Sequence, residues 1–480
     1  MKYQTTLRVR VLAVALLGTS LLAAGCGDTK NKTADLRVIH ASKDAPPVNV
    51  RVGNKDEIAN LDYADSSGYV PIRAGSRRIA VEAIIPGGNA DVITVDRFEF
   101  RQDLRYNILA INDTASIAPL VVEETAGEPE LDEVAIAVVH ASPDAGTVDV
   151  YLTPPGTDVN TVGPNFSFDY TDVVDAGVIP ADNYRIQVTL AGDKNVVYDS
   201  GSVDLSTFGG EKLLIAALSS ENGTEAKASP IKLLVANDID QVQLVDADTE
   251  VGARVVHLSP DAGIAAGGPV EVFATSTALG GTAEIIDAFE YADQFPGAGA
   301  YAGIPAGVYD FAVAPDGAGV GGALPDSLNA ADLMTASEYT VIAAGNVSGS
   351  PAFDLLATAD DNRAIVTQAS VKVVHGAPAA GIVDVYVTPA GAFTATEVEM
   401  GMAGDPLLDD FQFGEITPYV AVPPGDYDIR VVTNGGVGGT AAINVEGFTL
   451  PAGLVATAIA RQPDGDGSAP TDFGLLVLTN

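Results

Sequence analysis

Every histidine in the chain stands in the same setting. His40, His140, His257 and His375 each close a short apolar run, and a small-residue turn follows. In the first three copies that turn carries a carboxylate four residues on, at Asp44, Asp144 and Asp261. Imidazole and carboxylate together are suited to holding a metal or to acid/base work. The count is too small, however. Zinc takes three or four protein ligands, and no unit contains a second histidine. The fourth copy has Ala379 where the carboxylate would be. These seven residues are therefore expected to be structural. Proline and aspartate shape a tight turn, the carboxylate accepts backbone N–H groups, and the histidine donates to a loop carbonyl. No catalytic residue, metal ligand or cofactor is assigned.

The elements around each histidine repeat with it. The histidines lie 100, 117 and 118 residues apart. Each phrase opens with an apolar strand such as Val134 to His140. After the turn comes an alternating strand, Val148-Asp149-Val150-Tyr151-Leu152, in which Val148, Val150 and Leu152 should face a core and Asp149 and Tyr151 the outside. Downstream, Pro-Ala-Gly-x-Tyr or a close variant leads into a further strand at Tyr184, Tyr309 and Tyr427. That tyrosine is expected to bond its hydroxyl locally, as a corner tyrosine does. Each unit offers about seven short strands with turn signals and no convincing helix, the pattern of a β-sandwich. The expected fold is all-β: four tandem immunoglobulin-like or transthyretin-like sandwiches at 35–124, 132–245, 251–359 and 370–480. Units of this size bury their own cores, so beads joined by flexible linkers are expected.

The chain has 480 residues, a net charge of −39 and no tryptophan. So acidic a surface disfavours nucleic acid and anionic membranes, whose phosphates need Lys and Arg. The absence of tryptophan counts against a sugar-stacking platform. Gln462 to Gly467 and Asp246-Ala247-Asp248 resemble fragments of calcium loops, without the full spacing. The single cysteine, Cys26, follows a positive start (Lys2, Arg8, Arg10) and an uncharged stretch from Val11 to Ala24. That stretch is too short to span a membrane and reads as a signal peptide, residues 1–25. Leu22-Ala23-Ala24-Gly25-Cys26 resembles a bacterial lipobox, with its leucine one place earlier than usual. Cys26 is then the lipidated residue, 26–34 a tether, and Gly27 resembles an outer-membrane sorting signal.

The phrase V-V-H-x-S-P-D-A-x-x-V-D-V-Y, with P-A-G-x-Y downstream, resembles a bacterial secreted and lipoprotein family catalogued as domain of unknown function 4397. Repeat two matches best. Repeat one has Lys43 and Arg73 for prolines, and repeat three inserts Ile264 to Gly268. The resemblance implies an extracytoplasmic sandwich module and brings no catalytic residues. The expected role is a non-catalytic lipoprotein of the cell envelope, held at the outer membrane through Cys26. It would act as a spacer, adhesin or interaction module towards a protein or glycan of the envelope. The alternative is a ligand-binding envelope protein for calcium, a glycan or a small molecule, working through loops.

Overall fold

Two kinds of strand are written into each repeat. Val48–Val52 alternates buried and half-buried positions, as a strand with one covered face must. The last six residues of Leu104–Ile111 are all buried, and so is the whole of Ile231–Ala236. Such continuous runs belong to strands covered on both faces. The protein, as a computed structural model, is described over residues 32–125, 129–221, 228–263, 268–325, 328–433, 438–464 and 472–480. Cys26 and the signal peptide lie outside the described residues.

The described chain forms eight sheets. They pair into four sandwiches, each with its own buried core. In the first, one sheet runs Val70–Arg73, Thr33–His40, Leu104–Ile111, Ala118–Thr125. The other runs Lys55–Leu61, Val48–Val52, Gly75–Ala83, Ala90–Phe100. The order is therefore 4-1-7-8 against 3-2-5-6, eight strands where seven were expected. It recurs in all four sandwiches, with a fifth strand, Gln241–Leu244, added in the second and the fourth-strand position split in the third. The histidine-bearing strand is always paired in parallel with strand seven. The immunoglobulin order differs, since it sets the first strand beside the second. Among the described residues there is one short α-helix, Ala395–Glu399, closed by a capping box from Thr394 and Glu397.

The beads-on-a-string expectation is corrected. The outer faces of the 4-1-7-8 sheets pack against each other in pairs. Ile39, Leu109 and Val122 of the first sandwich meet Val139, Leu214 and Leu234 of the second. Val256, Ile342 and Leu356 of the third meet Val374, Ile459 and Leu478 of the fourth. Each pair is a four-layer stack with an apolar seam as its middle layer. At Gly376 the approach is so close that a Cβ would stand 3.1 Å from Leu258 Cδ1 across the seam and 3.0 Å from the Ala460 carbonyl.

The linkers are also docked. Residues 361–368, between the third and fourth sandwiches, lie against the first. Arg363, 6 % exposed, donates to the carbonyls of Ala45 (2.8 Å) and Lys43 (3.4 Å) and pairs with Asp62. The Val366 N–H donates to the Asp44 carbonyl at 3.0 Å.

Asp149 and Tyr151 do point away from their sandwich core, yet both are buried. The excursion from 154 to 165 folds over that outer face. Lys194 ties it down, donating to the Tyr151 hydroxyl (2.9 Å) and to the carbonyls of Val159 (2.8 Å) and Val162 (2.7 Å).

Candidate functional site: the signature loops at the paired seam

The four imidazoles are held in one geometry. In each, Nδ1 accepts a backbone N–H two residues on: Ser42 (3.4 Å), Ser142 (3.4 Å), Ser259 (3.4 Å) and Ala377 (3.3 Å). Nε2 of His40, His140 and His375 donates to the carbonyls of Pro46 (3.0 Å), Gly146 (2.6 Å) and Gly381 (2.8 Å). A neutral ring used this way has no lone pair left for a cation. In His257, Nε2 is buried without a partner among the described residues. Its repeat carries the insertion in this loop, and 264–267 fall outside the described residues.

Burial holds all four rings below the usual imidazole pKa, and pushes His257 down to about 4. An unfolded imidazole protonates near pH ~6.5. Below that pH the unfolded chain binds more protons than the folded one, so the stability these rings contribute is complete above ~6.5 and declines as pH falls. Urea midpoints should drop between pH 7 and pH 5, with a shallower slope in His257→Gln. A midpoint constant over that range would contradict this account.

The aspartates tie loops together. Asp44 Oδ1 accepts the N–H (2.7 Å) and hydroxyl (2.9 Å) of Thr114. The Asp261 oxygens accept the N–H groups of Val347 (2.7 Å) and Ser348 (2.9 Å). In both cases the donors lie on the loop after strand seven. Repeat four reverses the polarity, since Ala379 N–H donates to Gln462 Oε1 at 2.8 Å. Asp144 has a different setting. It lines a cleft of about 370 Å³ with Asp44, Asn112, Glu221 and Asn362, where the signature loops of the first two sandwiches meet the 361–368 linker.

Each histidine also positions an aromatic side chain. Tyr63, Tyr170, Tyr291 and Phe413 stand edge-on to their histidines, with centroids 6.0–6.3 Å apart. Three of the four reach across the seam. Tyr63 OH donates to the Ser219 carbonyl (2.6 Å), Tyr170 OH to Asn112 Oδ1 (2.6 Å) and Tyr291 OH to the Gln462 carbonyl (2.9 Å). The phrase thus builds the contact between paired sandwiches.

Sequence reasoning missed the buried cations. Arg37, Arg254 and Lys372 each stand three residues before a histidine, facing the seam, and all are buried. Each covers a tyrosine ring, Tyr69 at 4.5 Å, Tyr301 at 4.6 Å and Tyr419 at 4.4 Å. The signal was a lone basic residue inside an otherwise apolar strand. Arg254 and Lys372 meet at one carboxylate. Asp360, its side chain fully buried, lies 3.4 Å from the first and 3.0 Å from the second. Thr340 and Tyr301 also donate to it.

The calcium-loop fragments are otherwise engaged. Asp246 accepts the N–H of Asp199 (2.7 Å) and the Thr249 hydroxyl (3.0 Å). Residues 465–467 lie outside the described residues. Among the described residues, one carboxylate trio unforeseen from sequence, Asp384, Asp409 and Asp410, brings its oxygens within 4.8 Å. There Asp384 Oδ1 accepts the Asp410 N–H at 2.9 Å.

The corner tyrosines bond back to the proline four residues earlier, Tyr184 to Pro180 (3.0 Å), Tyr309 to Pro305 (2.6 Å) and Tyr427 to Pro423 (2.8 Å). In repeat one, Arg77 Nε takes the same place on the Arg73 carbonyl at 3.4 Å.

The profile of the family described as domain of unknown function (DUF4397) matches residues 34–151 and 254–386, more than half of the chain. The chain belongs to this family. Each DUF4397 match runs through one sandwich and into the second strand of the next, so it spans both phrases that meet at a seam. No curated protein matches the sequence. Among solved structures, a multi-modular glycogen-degrading pneumococcal virulence factor, SpuA, aligns over 60% of this chain and 37% of its own, at 10% identity and a TM-score of 0.15. The chain thus spans little more than a third of that protein. A Bacteroides uniformis protein provisionally named as a cell adhesion protein aligns over 48% of this chain and 99% of its own, at 11% identity and a TM-score of 0.17. A similarly named Bacteroides fragilis protein aligns over 48% and 97%, at 12% identity and a TM-score of 0.12.

Proposed function

We propose that the chain is a lipid-anchored protein of the cell envelope that works without catalysis, as a spacer or adhesin built from two double sandwiches. The observation that carries this reading is the use made of the repeated phrase. Its imidazoles, two of its aspartates and its aromatic side chains are spent on backbone and seam contacts, which stiffen a scaffold. A stiff acidic stalk suits a role that holds a binding surface away from a membrane. The second and fourth sandwiches, matched only over their first two strands, share the strand order of the other two, which supports reading them as further copies of the family domain.

Anchoring would come from lipid on Cys26, with more than one acyl chain needed for stable attachment. The outer membrane is the destination that Gly27 favours. Cys26→Ser is expected to move the protein from the membrane fraction to the soluble envelope fraction. Wild-type protein recovered in the cytoplasm would sink the proposal. Envelope pull-downs with wild-type protein should then identify the protein or glycan it meets.

A further inference from the structure

The third sandwich is hollow. Between its sheets lies a cavity of about 270 Å³, against about 50 Å³ in the second sandwich and 70 Å³ in the fourth. The shared strand register shows why. Five inward positions are alanine in this repeat, and all five alanines line the cavity. Four are larger in all three other repeats; the fifth, Ala302, is larger in repeats one and four and is Gly177 in repeat two.

Ala253, four places before its histidine, stands where the other repeats have Leu36, Ile136 and Val371. Ala274 takes the place of Val52, Leu152 and Val387, each paired with the equivalent residue of strand five. Ala302 pairs with Ala253 as Val70 pairs with Leu36 and Val420 with Val371. Ala331 lies opposite Tyr309 where Phe98, Val203 and Phe448 lie opposite their counterparts. Ala357 replaces Val121, Val235 and Val477. Truncations scattered by chance would leave separate small voids. These five converge on one space, and cavities carry a stability cost that tight packing would avoid.

We propose that this cavity is a binding site for a neutral, hydrocarbon-bearing small molecule. An apolar cavity of about 150 Å³ takes benzene, so this one accommodates roughly ten non-hydrogen atoms, a short alkyl chain or a substituted ring. The exposed residues of the lining are Leu279, on the turn after Val270–Ser276, and Asp332, Ala357 and Ala359, on the edge strands Leu328–Leu333 and Asp354–Asp360, which places the mouth between those edges beside that turn. Asp332 at that mouth, on a chain of net charge −39, selects against an anionic head group.

The test is calorimetric titration of the full-length Cys26→Ser chain with 1-octanol and with octanoate. One octanol should bind per chain, and octanoate at least ~10-fold more weakly. Ala331→Phe, which restores the side chain of repeats one and four, should abolish octanol binding and raise the melting temperature of this sandwich by about 5 °C. Ala253→Leu, a second filling variant, should also abolish binding. Absence of octanol binding to the parent chain, or undiminished binding in either filled variant, overturns the proposal. Octanoate binding as tightly as octanol overturns the head-group preference. The outcome is independent of the anchoring experiment, which reads only the fate of Cys26.

Discussion

Asp360→Ala should cost the third and fourth sandwiches about 3–5 kcal/mol of stability, the usual loss when one member of a buried charge cluster is removed. The reason lies in what stays behind. Arg254 and Lys372 come from different sandwiches, and both are buried at the seam. Without the carboxylate, two cations would face each other out of water. Guanidinium unfolding should show the loss, and amide exchange should place it in Val251–Leu258 and Ala369–His375, the strands that carry the two cations. Exchange lost evenly over all four sandwiches would argue against a local lock. The triple variant Asp360→Leu, Arg254→Met, Lys372→Met should recover much of the loss, because apolar groups of similar volume tolerate such a site.

Arg363→Ala should loosen the hold of the C-terminal half on the N-terminal half. The guanidinium makes hydrogen bonds to two carbonyls of the first signature loop, pairs with Asp62 and lies 5.7 Å from the centre of the Tyr63 ring. Bonds from a charged donor contribute roughly 1.5–3 kcal/mol each at most, and the half-exposed Asp62 adds little. The expected result is a larger radius of gyration in solution scattering and new proteolytic cleavage within 361–368, with each double sandwich still folded. Lysine at this position cannot fork between the two carbonyls and should give an intermediate result. An unchanged scattering curve and cleavage pattern would contradict the docking role.

The local half of this architecture was legible. Alternation in Val48-Val50-Val52 and its equivalents marks strands whose valines face a core, although in repeats two to four the outward residues are buried as well, and the recurrent histidine phrase marks the start of each sandwich. The pairing of sandwiches was also written down, in runs such as Leu213 to Leu218. These look like ordinary core strands until one asks what covers the second face. Other features depend on chain segments that meet only after folding. Nothing near Asp360 in sequence foretells that it serves Arg254, 106 residues away. The Thr114 partner of Asp44 is 70 residues off and carries no motif. The hollow third repeat could have been found by lining up inward positions across the four copies, but only once the register was known, since a one-residue slip exchanges the faces.

The shared seam sets a rule for how such a chain can lengthen or shorten. Val256, Ile342 and Leu356 pack against the sandwich that follows them. Deleting the fourth sandwich alone would turn that face into a broad apolar surface open to water, inviting aggregation or a stray partner. Gain or loss of two sandwiches together leaves every seam closed. Sequences related to this one should therefore tend to carry even numbers of repeats, and an odd-numbered relative should carry polar residues at the positions of Val256 and Ile342.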